Sequence, residues 1–320
     1  MASAYSQNQI SRFLSMIKLP EKYRVEANPT RDLALLSALH TYTISSVPYE
    51  NLLLHYSPAR DISLEPGDLY RKIVLDGRGR GGYCMENSIF YLNVLRGLGF
   101  NVYPTGVRIR LRVDGIPQGD YVGWVHMVNI VTLPDGQKYM IDVGFGGDGA
   151  TKPVPMVRGQ GEADSYPSIH NIGTQDLRLV RDFIPGQTVL VEEAKLWIYQ
   201  YRNGPTKDWN SFFAFPEIEF LPLDFGVMNW FTMWKSFQRS EVLIIRFLRR
   251  PSKDNQGEDE VYGKRMLING VVKENLGEKT VVVKECKTER ERVEAVRELF
   301  GIELCDEEKV AIQGYVTELR

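Results

Sequence analysis

Reactive side chains are scarce in this chain. Three cysteines, Cys84, Cys286 and Cys305, and four histidines, His40, His55, His126 and His170, occur among 320 residues. Three cysteines cannot all pair, which excludes a disulfide scaffold, and no CxxC or CxxH spacing offers a zinc site. No metal is expected. Net charge is nearly absent too: 39 Lys and Arg against 41 Asp and Glu leave −2, so nothing in bulk draws the chain to nucleic acid or to an anionic membrane. Partner binding must rest on local features. No apolar run nears the ~20 residues that cross a bilayer, and MASAYSQNQISRFL lacks the basic stretch and apolar core of a secretory leader. A reducing, cytoplasmic setting is the expectation.

What is present is an ordinary globular composition, 43% hydrophobic and 25% charged, with enough length for about two structural units. Residues 1 to about 100 read mostly as helix. Leu33, Leu36, Leu39 and Ile44 recur close to helical spacing after a start signal at Pro29-Thr30, and CMENSIFYLNVLRGLGF puts Met85, Ile89, Leu92, Leu95 and Leu98 on one face before stopping at Gly97 and Gly99. Beyond residue 101 the period shifts toward two. NVYPTGVRIRLRV alternates Arg108, Arg110 and Arg112 with Val107, Ile109 and Leu111, WVHMVNIVTL and QKYMIDVGF form a hairpin around Pro-Asp-Gly, and KLWIYQY is a further strand. Residues 203–240 show no clean period and read as an ordered connection. The remainder offers strands at EVLIIRFLRR, KRMLING and KTVVVKE, a charged loop at SKDNQGEDE, and an amphipathic helix in TERERVEAVRELFGI.

A cysteine is nucleophilic as its thiolate, and a helix N-terminus with a nearby imidazolium favours that form. Cys84 meets the first condition, since the Gly-rich DGRGRGGY before it cannot continue a helix. Gly81 and Gly82 let a substrate carbonyl approach, and first-turn N–H groups can receive an oxyanion. Cys286 and Cys305 have no such setting and read as structural. The hairpin supplies a base. If Pro-Asp-Gly is a three-residue loop, Leu133 faces Gln137, His126 lies opposite Gly144, and Asp142 is its diagonal neighbour on the same face. A two-residue loop would put the two on opposite faces. An Asp between Ile141 and Val143 needs a partner if it is buried. His40, His55 and His170 read as structural or exposed, and neither GRGRGG nor GFGGDG fits a phosphate-binding fingerprint.

Four motifs in order, VPYENL at 47–52, RGGYC at 80–84, VHMVNIV at 125–131 and DVGFGG at 142–147, closely resemble the arylamine N-acetyltransferase family. The resemblance implies an α+β fold: a helical bundle (1–100), an antiparallel β-barrel (101–203), a connection (204–240) and an α/β lid (241–320), around a cysteine triad core related to papain and transglutaminases. It implies a triad of Cys84, His126 and Asp142 that carries an acyl group from acetyl-coenzyme A, or another acyl-coenzyme A, to an arylamine or hydrazine in a ping-pong cycle. By the same resemblance Arg80 and Glu50 support the site as a candidate ion pair, Val125 and Phe145 contact the amine, Gly123 lies near the coenzyme, and Phe231 and Phe237 fall in a segment that touches coenzyme A. Foreign-amine metabolism is the family-level expectation. Trp234, Lys235 and Phe237 replace small hydroxyl residues of animal members, and a malonyl donor would need a cation near its carboxylate. Hydrolysis or transglutaminase-type transfer by the same triad, and a catalytically inert binding protein, are the alternatives.

Overall fold

The computed structural model describes residues 2–159, 166–252 and 258–320. Helices α1 (Gln7–Met16), α2 (Leu33–Ser46), α3 (Leu53–Tyr56), α4 (Pro66–Tyr70) and α5 (Cys84–Gly97) form the N-terminal region, with a two-residue strand β1 (Tyr49–Glu50) between α2 and α3. The start of α2 differs from the Pro29-Thr30 expectation. Asp32 is the cap, its carboxylate accepting from the Leu35 N–H at 2.9 Å. Leu33 consequently falls in the uncovered first turn and is exposed, while Leu36, Leu39 and Ile44 are buried. The α5 helix is buried on nearly every side, since Phe90, Tyr91 and Val94 join the expected apolar face. Such a helix lies inside the molecule and presents only its N-terminal end to a site.

The middle of the chain is an eight-stranded antiparallel sheet. Its strands are β2 (Asn101–Val113), β3 (Ile116–Thr132), β4 (Lys138–Ile141), β5 (Val154–Pro155), β6 (Ser168–His170), β7 (Gln175–Asp182), β8 (Leu196–Asn203) and β9 (Asn210–Phe215), in the order β5-β4-β3-β2-β9-β8-β7-β6. The sheet curls until β5 packs against β7, nearly closing a barrel around Val107, Val128, Met140, Trp197, Tyr199, Phe213 and Phe215. Residues 203–240 are therefore more than a connection. Asn210–Phe215 pairs with both β2 and β8 at the centre of the sheet, and Pro222–Lys235 is a helix, α6.

Strands β10 (Leu243–Pro251), β11 (Asp259–Ile268), β12 (Val271–Asn275) and β13 (Thr280–Glu285) and helices α7 (Glu289–Phe300) and α8 (Asp306–Ala311) follow. Part of the expected charged loop, 253–257, lies outside the described residues. The second sheet runs β1-β10-β11-β12-β13. Ala295, Val296 and Phe300 of α7 cover Ile244, Leu267 and Val272. Its edge strand β1 comes from the N-terminal region and on its other side bonds to Gly82, so β1 links the C-terminal α/β layer to the turn before Cys84. The α+β architecture expected from the sequence is the one observed. Among the described residues no helix is long and apolar enough to cross a membrane.

Candidate active site

Cys84 is the first residue of α5 and is buried. The turn before it is held from several sides. Asn87 donates through Nδ2 to the Gly82 and Pro48 carbonyls at 2.8 and 3.2 Å, and Tyr83 N–H donates to Glu86 at 3.0 Å, whose carboxylate pairs with Lys72. Gly81 is required by close approach, because a Cβ there would lie 1.9 Å from the Pro48 carbonyl oxygen. As first-turn residues, Cys84 and Met85 have no acceptor within the helix for their N–H groups, and the positive end of the helix dipole coincides with the sulfur.

The hairpin has the three-residue register. Leu133 N–H donates to the Gln137 carbonyl at 2.9 Å, and Asn129 pairs with Ile141. The chain leaves the ladder at Asp142, which turns its carboxylate back toward β3. His126 donates from Nε2 to Asp142 Oδ2 at 2.7 Å, and Gly144 N–H donates to Oδ1 at 3.0 Å. Both side chains are buried. Burial pushes the imidazole down, but the Asp142 charge and hydrogen bond, with a further hydrogen bond to Cys84, outweigh it and lift His126 to about 10. The ring is thus an imidazolium at neutral pH, one N–H on Asp142 and the other available to Cys84.

A bulge completes the arrangement. His126 opposes Val107 and Trp124 opposes Arg108, so Val125 has no partner on β2, and its carbonyl faces Cys84 Sγ at 3.9 Å. Such an extra residue re-aims the side chains on either side of it. Gly144 closes the other flank, since a Cβ there would lie 2.6 Å from the Cys84 carbonyl oxygen. The structure therefore brings Cys84, His126, Asp142 and Val125 together, as well as Phe145, whose ring centre lies 5.1 Å from that of His126. Gly123 is exposed on the same strand with open space beside it. Phe231 and Phe237 are 42% and 46% exposed. They lie outside the apolar cluster that Phe225, Met228 and Met233 of α6 form with Cys84.

The supporting ion pair is present and larger than expected. Arg80 Nε donates to Glu50 Oε1 at 2.9 Å, and Nη1 binds Glu308 of α8, which also binds Arg78. Burial raises the Glu50 carboxyl, but Arg80, helped by Lys72, holds it at about 2. Nothing in the sequence pointed to Glu308, because its partners lie more than two hundred residues away. Also unforeseen is Asp148, at the end of the Gly-rich loop, whose carboxylate is shared by Arg112 and Lys264. His40 and His55 are structural as expected. Both are buried, hydrogen bonded to Ala150 O and Thr317 Oγ1, and pushed down to about 4, chiefly by burial. Among the described residues no cluster of His, Cys, Asp and Glu could hold a metal ion.

The chain is similar to known proteins in both sequence and fold. An N-acetyltransferase family model matches residues 32–309. The N-malonyltransferase FDB2 of Fusarium pseudograminearum (strain CS3096) is 36% identical over 326 residues, covering 95% of this chain and 91% of that protein. An arylamine N-acetyltransferase of Escherichia coli (strain K12) is 29% identical over 216 residues, 67% of this chain and 66% of that one. Among solved structures, the arylamine N-acetyltransferase from Mycobacterium abscessus superimposes with a TM-score of 0.74 at 19% identity, over 98% of this chain and 97% of that one. The Mycobacterium marinum enzyme in complex with CoA gives 0.70 at 20% identity, over 97% and 99%.

Proposed function

The chain belongs to the arylamine N-acetyltransferase family, and on that premise we propose that it carries an acyl group from an acyl-coenzyme A, through a thioester on Cys84, to the nitrogen of an arylamine. The observation that carries this reading is the buried His126–Asp142 pair beside a cysteine at a helix N-terminus. In that setting the thiolate and the imidazolium stabilise one another. The Cys84 thiolate adds to the thioester carbonyl, the oxyanion is received by first-turn N–H groups, and His126 gives its proton to the departing sulfur, so that coenzyme A leaves as the thiol and the ring is left neutral. The amine then adds to the Cys84 thioester, its proton passes to His126, and the Cys84 thiolate is expelled. Asp142 fixes the ring and stabilises its charged form throughout. Val125 and Phe145 border the sulfur and the imidazole, where the acceptor ring must lie. Coenzyme A binding by Gly123, Phe231 and Phe237 remains part of the proposal, with all three exposed toward solvent.

The acyl group we assign is malonyl ahead of acetyl. Support comes from the N-malonyltransferase similarity, which extends over 95% of the chain, and from Arg112 and Lys264, which share the single carboxylate of Asp148. That leaves one positive charge in excess, from strands β2 and β11, beside the loop that carries Phe145, suited to an acyl group that ends in a carboxylate. Steady-state assays with malonyl- and acetyl-coenzyme A against a panel of arylamines and hydrazines test both parts. Coenzyme A release beyond one equivalent per Cys84 should require the amine, and Cys84→Ala should abolish release while leaving the fold intact. Turnover retained in Cys84→Ala would refute the mechanism, and sustained amine-independent release would point to a hydrolase instead.

A further inference from the structure

Beside Arg80, a cleft of about 560 Å³ opens between the N-terminal helices and strands β10 and β11. Its size suits a small organic ligand. The charge along it is of one sign. Lys18, Arg80, Arg246, Arg249 and Arg265 line it, and no Asp or Glu does. Three of the five are compensated from behind: Arg80 by Glu50 and Glu308, Arg249 by Asp259, Arg265 by Glu274. Lys18 and Arg246 have no ion-pair partner among the described residues. Arg246 donates only to the Phe300 carbonyl, at the C-terminal end of α7, where the helix dipole offsets part of one charge. About two positive charges face the cleft without a counter-ion. Met16, Ile73, Val74 and Leu299 supply apolar wall beside them.

Like charges crowded into a partly desolvated cleft are unfavourable unless an anion enters. We propose that this cleft is a binding site for a phosphate monoester dianion carried on a small apolar body, held by Lys18 and Arg246. The guanidinium offers paired N–H donors that match two phosphate oxygens, and the ammonium adds a point charge. Ser46 lines the same cleft and provides a hydroxyl. Burial pushes the Arg246 guanidinium below its ordinary value, and Arg265 and Arg249 add like-charge repulsion; the charge of a bound dianion offsets both. The site is independent of the acyl-transfer reading, because none of its ligands is Cys84, His126 or Asp142.

Calorimetric titration of the full chain with phenyl phosphate and with inorganic phosphate, at 0.15 M salt where exposed charges are screened, tests this. Binding should weaken at least about ten-fold in both Arg246→Gln and Lys18→Gln, and should be unchanged in Cys84→Ala and in Lys207→Gln, a lysine exposed on the far turn between β8 and β9. Tighter binding of phenyl phosphate identifies a phosphorylated organic ligand, whereas equal binding identifies free phosphate. No binding of either probe at millimolar concentration, or binding that the two cleft variants leave unaltered, overturns the proposal. If Arg246→Gln does not fold, Lys18→Gln decides alone, since Lys18 is exposed and its loss leaves the core untouched.

Discussion

The guanidinium of Arg80, four residues ahead of Cys84, is bound by the carboxylate of Glu308, which lies 228 residues further along the chain. Glu50 holds the other edge of the same group. Glu308→Gln keeps the shape and an acceptor but removes one charge from a buried network. A charged hydrogen bond of this kind is worth about 1.5–3 kcal/mol, so the urea midpoint of Glu308→Gln should fall correspondingly. An unchanged midpoint would show that Glu50 alone satisfies Arg80.

Stability should also decline at both ends of the pH scale, for opposite reasons. The Glu50 carboxyl is held at about 2 against an ordinary 4.5, so its contribution is complete above about 4.5 and disappears as pH falls through 2. The His126 imidazole is lifted to about 10 against an ordinary 6.5, so its contribution is complete below about 6.5 and disappears as pH rises through 10. Urea midpoints between pH 6 and pH 10 should fall for the native chain. In Asp142→Asn that alkaline decline should vanish, and alkylation of Cys84 by iodoacetamide at pH 7 should slow by roughly ten-fold or more as the imidazolium is lost. A native alkaline limb in Asp142→Asn would separate His126 from Asp142.

Gly144→Ala is the smallest change expected to displace the nucleophile. The added methyl would stand 2.6 Å from the Cys84 carbonyl oxygen and 2.9 Å from its Cα, and backbone atoms cannot swing aside. A shift of about 1 Å at a reacting atom costs on the order of 100-fold in rate. Turnover should fall by that order while circular dichroism stays near native; full activity would mean that the Asp142 turn yields freely.

Lys264→Met tests the malonyl assignment. Removing this ammonium leaves Arg112 neutralised by Asp148, so the KM for malonyl-coenzyme A should rise several-fold, with acetyl-coenzyme A nearly unaffected. An equal change for the two donors would place the malonyl carboxylate elsewhere.

The candidate site was legible because its constraints are local. A Gly-rich turn before a helix positions Cys84, and one hairpin register decides whether Asp142 can meet His126; both are written within a few residues of the groups concerned. The strand at 210–215 was not legible. Phe212, Phe213, Ala214 and Phe215 are all buried, so NSFFAF has no polar alternation to mark it. The bulge at Val125 and the pairing of Glu308 with Arg80 were equally silent, since each depends on a partner that only the folded chain brings near. The start of α2 was misplaced for a different reason: Pro29-Thr30 is a plausible opening, but Asp32 is the residue whose carboxylate reaches a free N–H.

Strand β1, two residues long, places a time order on the enzyme. Glu50 pairs with Ile244, and Tyr49 with Ile245, while Tyr49 also bridges to Gly82 in the turn before Cys84, so the strand beside that turn lacks its other neighbour until the ribosome has made about 160 residues beyond Cys84. Contacts of that span also form slowly. A nascent chain would thus hold Cys84, His126 and Asp142 before the second sheet can brace the turn that carries the cysteine.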